Sequence, residues 1–332
     1  MTKTTRVMLA VLALCGTSAA LAQSSVNLYG RVNTTIERVK IGNESVTEMN
    51  SNSSYIGFRG EEDLGAGVKA GFKLEGNFGS DDGAGFDFKR HSELNLSGNF
   101  GLLRLGNFLP ASYDVTADWI SMHNHDTGLS ADNLYVINAE FDNKVAYRTP
   151  EFGGFTGEVQ YSFHEQATGG KAALDLALNY ANGPLGFGLG YSDGPLGLGT
   201  YNSNDAQQLA ARVSYALGDL VLGAYYQYAK LENVIGNADA KRNAYRLSAM
   251  YVLGASEFHA NIGRADKVKL GSAKQINTSA TQWTLGYNHN LSKRTKAYAY
   301  YTKTDNGSAS NYATGANGSD LRSVAVGIRH LF

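Results

Sequence analysis

Apolar and polar residues alternate one by one along most of this chain. Val68, Ala70, Phe72 and Leu74 share one face of an extended segment, opposite Lys69, Gly71, Lys73 and Glu75. Phe155, Val159, Tyr161 and Phe163 likewise oppose Thr156, Glu158, Gln160 and Ser162. The same holds for Leu174, Leu176, Leu178 and Tyr180 against Asp175, Ala177 and Asn179, and for Leu209, Val213, Tyr215 and Leu217 against Gln208, Ala210, Arg212 and Ser214. Trp283, Leu285 and Tyr287 repeat it against Gln282, Thr284 and Asn288. A period of two is the signature of β-strands with two unlike faces. The chain even ends on one, with Val324, Val326, Ile328 and Phe332 opposite Ala325, Gly327 and Arg329. A free terminal strand of this kind invites edge-to-edge aggregation. A closed barrel removes the edge, because its last strand pairs with its first.

A two-layer sandwich would alternate too, so the punctuation must decide. Tight turn signals fall at 63–67, 98–101, 150–154, 182–184, 217–219, 253–255 and 291–294. Longer polar stretches lie between them, among them 42–51, 193–204, 268–279 and 304–319. Short turns on one rim and long loops on the other mark a transmembrane barrel. Seven turns make seven hairpins, and two terminal strands bring the predicted count to sixteen, which leaves an aqueous channel rather than a filled core. The expected fold is an all-β, 16-stranded antiparallel transmembrane β-barrel.

The turn spacing holds one anomaly. Centres near residues 64, 99, 152, 183, 218, 254 and 292 are 35, 53, 31, 35, 36 and 38 apart. The second hairpin interval is too long by roughly 15–20 residues for an ordinary connection. That excess places a special loop at 107–143. It carries Trp119, Ile120, Leu129, Leu134, Tyr135 and Ile137, which predicts a loop anchored against something rather than solvated.

Composition sharpens the picture at the N-terminus. Lys3 and Arg6 precede an apolar run from Val7 to Leu14, and Ala20 and Ala22 give the small-residue pattern of a cleaved export signal. A signal peptide at 1–22 leaves 310 of the 332 residues, a domain at 23–332. The one cysteine, Cys15, lies in the signal, and bulky Leu14 before it argues against a lipid-modified cysteine. Without it no disulfide or thiolate chemistry is available. Removing Lys3 and Arg6 leaves 27 basic against 30 acidic residues, which is no nucleic-acid signature. Outside the signal no apolar run approaches the ~20 residues of a membrane helix. The 39 glycines, 20 tyrosines and only 4 prolines suit many antiparallel strands better than a helical core.

Several segments together resemble the general porins of Gram-negative bacteria, of the beta-proteobacterial and neisserial type. They are VNLYGRV at 26–32, GFRGEEDLGAGVKAGFKLE at 57–75, SGNFGLLRLG at 97–106, YRTPEFGGF at 147–155, GYNHNLSKRT at 286–295 and GIRHLF at 327–332. The likeness spans the chain after the signal. It implies an outer-membrane homotrimer of sixteen-stranded barrels, in contact with lipid and lipopolysaccharide, passing small ions and hydrophilic solutes without a cofactor. It also implies that the third external loop, 107–143 here, folds inward and narrows the pore, and that the second latches onto the adjacent subunit.

A narrow, low-dielectric throat lets fixed charges act over short, weakly screened distances. Loop 107–143 carries Asp114, Asp118, Asp126, Asp132, Glu140 and Asp142 and neither lysine nor arginine. Strand parity turns Arg31, Arg59, Lys69, Lys73, Arg104, Lys144, Arg148, Arg212, Arg246 and Arg329 inward, against Glu37, Glu75, Glu93, Glu158, Asp175 and Glu257. A basic wall facing an acidic loop is the expected constriction. For any single loop acid, the bland alternative is a solvated carboxylate. Porins of this type often carry an eyelet arginine cluster and favour anions. Here Tyr55 stands where an arginine is usual before the 57–60 block, and Glu140 where a basic residue is expected upstream of Pro150. These departures predict an anion preference weaker than the family's, down to weak cation preference. Lys89 and Arg90 keep the basic pair, with His91 next; parity from Leu94 and Leu96 turns Lys89 and His91 inward and Arg90 outward unless a bulge intervenes. Phe332 reads as a closure and assembly residue.

Other motifs are weaker. His123, His125 and Asp126 could ligate a metal, but no further ligand stands at fixed spacing and loop polarity explains them. Gly186, Gly188 and Gly190 lack the lysine of a phosphate loop and read as small lumen residues that widen the passage. Asp81 and Asp82 read as a turn before a calcium site. Tyr29, Tyr161, Tyr180, Tyr215 and Tyr287 read as interfacial girdle, whereas Tyr298 and Tyr300 are candidates to line the pore. A substrate-specific porin for sugars or organic acids is the nearest competing function. An outer-membrane hydrolase is a poorer fit, because no nucleophile–histidine spacing emerges and such barrels have fewer strands.

Overall fold

Sixteen antiparallel strands close on themselves in the computed structural model, which describes residues 25–117, 131–137, 142–165, 170–198 and 201–332. The first half comprises β1 (Ser25–Ile41), β2 (two segments, Glu44–Ser51 and Tyr55–Gly65), β3 (Val68–Asn77), β4 (His91–Gly98), β5 (Gly101–Asn107), β6 (Lys144–Arg148), β7 (Phe155–Ser162) and β8 (Ala173–Asn182). The second comprises β9 (Leu185–Leu198), β10 (Tyr201–Leu217), β11 (Leu220–Ile235), β12 (Ala238–Leu253), β13 (Ser256–Ala265), β14 (Ala280–Asn290), β15 (Thr295–Asn306) and β16 (Leu321–Leu331). Each strand pairs with its chain neighbours. β1 and β16 close the seam, in register from Arg31 opposite Leu331 to Ile41 opposite Leu321. Beyond that register Gly30 and Phe332 exchange two backbone hydrogen bonds of 3.2 Å.

The alternation resolves as apolar outside and polar inside. On β1, Val26, Leu28, Val32 and Ile36 are exposed, whereas Arg31, Asn33, Thr35 and Glu37 are buried. On β12, Leu247 is 61% exposed while its neighbour Arg246 is 1% exposed. A sandwich would bury the opposite set, so the inverted pattern excludes it and suits a wall between lipid and water.

All seven predicted turns are where strands reverse. The long loops fare differently. Residues 44–51 are strand, with only Gly42 and Asn43 at the hairpin tip, and β9 and β10 extend to Leu198 and from Tyr201. Residues 269–270 and 273–274 form a small hairpin that pairs with the upper end of β12 and continues the wall above β13. Polarity was the misleading signal, because backbone ladders above the lipid need no apolar face.

Wall height is uneven. β5, β6 and β7 have 7, 5 and 8 residues, against 17, 16 and 16 for β10, β11 and β12. The connection from β5 to β6 begins with a short helix, α1 (Ala111–Asp114), and later forms a 3-10 turn at Ala131–Leu134. Both lie inside the barrel, as the excess length predicts.

Candidate pore constriction

Loop 107–143 is tied to the lumen wall along one side of the barrel. Phe108 is fully buried beneath the guanidinium of Arg104, 4.0 Å from its ring centroid, and Lys144 Nζ donates to its carbonyl at 3.0 Å. Gln160 donates to the Leu109 carbonyl at 3.2 Å. At α1, Asp175 accepts from the Ser112 amide at 2.8 Å and from the Ser112 hydroxyl. The helix can come this close because β9 presents glycine. A Cβ at position 188 would stand 1.9 Å from the Val115 carbonyl oxygen, and one at 190 would stand 2.7 Å from Ser112 Cβ. These glycines make room for the loop rather than widening the passage.

Further along, Gln227 pairs with the Val136 backbone through two hydrogen bonds, 2.9 and 2.8 Å. Arg242 donates to the Leu134 carbonyl at 2.8 Å, and Arg246 to the Tyr135 hydroxyl at 2.6 Å. Arg212 donates to the Val115 carbonyl at 3.0 Å. Leu134 and Tyr135 pack against Tyr225 and the inward alanines Ala210, Ala244, Ala265 and Ala280. Val136 packs in a second cluster with Leu196, Leu198, Ala206, Ala229 and Ala240. Small lumen residues on β10–β14 thus form an apolar bed for the loop. Two arginines expected to face its carboxylates, Arg212 and Arg246, instead hold a backbone carbonyl and a hydroxyl, and Arg242, which the sequence reading did not single out, holds a second carbonyl.

At the base of the loop lies a charged cleft of about 380 Å³, where Lys73, Arg90, Arg104 and Arg148 meet Glu75, Glu93 and Asp114. Glu75 binds Lys73 at 2.9 Å, Arg90 at 3.0 Å and the Tyr29 hydroxyl at 2.7 Å. Arg104 bridges Glu93 and Glu158, each at 2.7 Å, and Arg148 closes on Glu158 at 2.5 Å. The carboxylate side chains are 4–6% exposed, whereas those of Lys73, Arg90 and Arg148 are 33, 25 and 42% exposed. Acids lie beneath and cations face the water. Arg90 and Arg31 both lie against the Tyr55 ring, at 4.8 and 5.3 Å, and Arg31 also donates to the Ser53 carbonyl.

Residues 9–309 match the Gram-negative porin family. The chain belongs to that family. Outer membrane porin protein 32 of Delftia acidovorans is 37% identical, over 99% of this chain and all of the relative. Major outer membrane protein P.IB of Neisseria sicca is 28% identical, over 94% of this chain and 96% of the relative. Among solved structures, the anion-selective porin from Comamonas acidovorans superposes with a TM-score of 0.79 at 33% identity, covering 93% of this chain and all of that one. This porin is therefore an integral outer-membrane channel for passive diffusion.

The predicted constriction residues of this porin separate into three groups. Lys73, Glu75, Arg90 and Asp114 line the cleft. Arg31 joins it through Tyr55, and Arg59 sits beside Lys73 in register with its guanidinium 4.9 Å from the Tyr29 ring. Lys89 does not take part. Its side chain is 87% exposed and pairs with Asp87 at 3.3 Å. Strand β4 starts at His91, so strand parity does not extend to Lys89 and Arg90, and it is Arg90 that turns inward. Asp118, Asp126 and Glu140 lie outside the described residues, as do His123 and His125; Asp132 is described only as part of the 3-10 turn. Tyr29 is not a girdle residue, since its hydroxyl reaches Glu75 inside the lumen. Tyr298 and Tyr300 do face inward, donating to Asn33 and Asn288. Asp82 caps its own turn by accepting from the Ala84 amide. Of the inward alanines the sequence reading placed only Ala210, although their shared parity was the available signal for where the loop lies.

Proposed function

We propose that this porin is a homotrimeric diffusion channel with a weak preference for anions. The exposure asymmetry of the cleft carries the reading. A passing solute meets Lys73, Arg90 and Arg148, while Glu75, Glu93 and Glu158 lie behind them with their lone pairs already engaged. The preference is weak because these acids offset the cations in number and loop 107–143 adds carboxylates and neither lysine nor arginine. The anion selectivity named for the Comamonas acidovorans relative supports the same sign. Reversal potentials under a potassium chloride gradient test it, and a cation-selective sign overturns it. Linear conductance in rising sugar or organic acid concentration separates simple diffusion from a substrate-specific porin, which would saturate.

Wall height supports the trimer. A membrane-crossing strand needs ~9–11 tilted residues, and β5–β7 fall short of that. A second copy of the chain against this low wall would shield it from lipid. Export by a leader cleaved after Ala22 completes the reading, with a channel's role and no catalytic one.

A further inference from the structure

His91 lines the selectivity cleft and is buried among its ion pairs. Its Nδ1 has no hydrogen-bond partner among the described residues. Glu93 Oε2 stands 3.8 Å from that nitrogen, beyond hydrogen-bond reach. Buried polar atoms are normally bonded, so an orphaned ring nitrogen in a charged cleft calls for an explanation. The salt bridges of the cleft do not supply one. Glu75 is taken by Lys73, Arg90 and the Tyr29 hydroxyl, and Glu93 by Arg104 and Asn95.

Charge surrounds this imidazole from every neighbouring element. From β3 come Lys73 and Glu75, and Glu75 is directly opposite His91 in register. Arg90 precedes it in the chain and Glu93 follows it on β4. β5 and β6 bring Arg104 and Arg148, the constricting loop brings Asp114, and β2 brings the Tyr55 phenol. As residue types, carboxylates titrate at about pH 4, whereas lysine, arginine and tyrosine titrate at about pH 10 or above. Imidazole is the side chain whose ordinary charge change falls between about pH 5 and 8. Among the described groups of the cleft, His91 alone is of that type.

We propose that His91 is a specificity-determining residue of the channel: a proton taken up by its imidazole adds a positive charge to the cleft and turns ion preference further toward anions. The proposal rests on the reading of this cleft as the seat of selectivity, and names the residue through which acidity reaches it. Glu93 beside Nδ1 and Glu75 across the strand pair give the imidazolium its counter-charge. Lys73, Arg90 and Arg104 oppose it, so the ring is neutral at pH 7.5 and takes up its proton only in acid. Both carboxylates keep their existing partners, so the cleft gains one full charge.

Reversal potentials of the channel in planar bilayers, under one potassium chloride gradient at pH 7.5 and again at pH 5, test it. One unit charge at ~8 Å in a water-like dielectric acts oppositely on anion and cation, so the wild-type permeability ratio should rise about fivefold toward anions at pH 5. His91→Gln and His91→Asn, neutral amides of different length, should both lose that rise, and either one suffices if the other does not fold. His259→Gln, which removes another buried histidine of the lumen wall, should keep it. A rise that persists in a folded His91 variant overturns the proposal. So does its absence in wild type, or an equal loss in His259→Gln. Cation selectivity of wild type at pH 7.5 would instead count against the anion preference proposed above. The response to acid and its dependence on His91 are read independently of that sign.

Discussion

Gly30 and Phe332 meet on the outer face of the barrel seam. Their backbones exchange two hydrogen bonds, and the Phe332 ring fills the space a side chain at 30 would need. A Cβ there would stand 2.5 Å from Phe332 Cζ and 2.6 Å from the Tyr55 carbonyl oxygen. The ring can move aside, but the carbonyl belongs to the neighbouring strand. Gly30→Ala is therefore expected to cost about 1–3 kcal/mol by overpacking. Phe332→Ala on the same chain should rescue it only in part. Removing Phe332 altogether should reduce the folded fraction further, since the seam loses two hydrogen bonds. Heat-modified mobility on gels, which distinguishes folded from unfolded barrels, reads all three. Full rescue by the double variant would refute the seam argument.

The base of the constricting loop hangs on Asp175. Asp175→Ala leaves the Ser112 amide and hydroxyl without their acceptor in a buried position, a loss of about 1–3 kcal/mol. The barrel ladders do not depend on this contact, so the expected effect is local. Single-channel recordings should show larger and noisier conductance, while Asp175→Asn, which keeps an acceptor, should stay nearer wild type. Quiet, unchanged channels in Asp175→Ala would show that the contacts of Gln227, Arg242 and Arg246 hold the loop without α1.

How far the sequence reaches can be seen at particular residues. Turn chemistry located every periplasmic reversal, and the spacing of turns exposed the loop at 107–143. Both signals are local, as backbone turns are. Lys89 and Arg90 show the limit: strand parity has no meaning before the strand begins at His91. Residues 44–51 show another, because a polar strand above the lipid reads as a loop when polarity is taken for solvation. The anchoring of the loop was least legible. It depends on Ser112 meeting Asp175 and on Val136 meeting Gln227, pairs 63 and 91 residues apart, whose contact only the closed barrel creates.

Charge at the cleft should set ion preference in a predictable direction. Lys73→Gln together with Arg90→Gln removes both salt-bridge partners of Glu75 and leaves the carboxylate with the Tyr29 hydroxyl. One unit charge at ~8 Å in a water-like dielectric is worth ~0.5 kcal/mol. Losing two should lower anion permeability about fivefold and raise cation permeability in the same measure, moving the permeability ratio toward cations. The shift should shrink as salt rises, because screening shortens the reach of fixed charge. Reversal potentials at low and high potassium chloride measure both effects. A shift toward anions, or none at low salt, would remove the cleft from its role in selectivity.

Arg104 offers the sharpest contrast between structural and surface charge. It joins Glu93 to Glu158 with all three side chains 4–7% exposed. Replacing it with methionine keeps most of the volume over Phe108 but leaves Glu93 with His91 and Asn95, and Glu158 with Arg148 and Gln160. Breaking a buried pair from one side costs ~3–5 kcal/mol when the remaining charge is uncompensated. Glu158 keeps a cation, so the lower end of that range is expected, with Glu93 the more affected carboxylate. Lys89→Ala breaks an ion pair too, but at an exposed surface, where such pairs contribute little. Denaturant midpoints of the refolded barrel should fall clearly for Arg104→Met and stay put for Lys89→Ala. Arg104→Met combined with Glu93→Gln should recover part of the loss, because it removes the charge left behind. If the double variant is no more stable than the single, the penalty lies in the contact with Phe108 and not in the buried carboxylate.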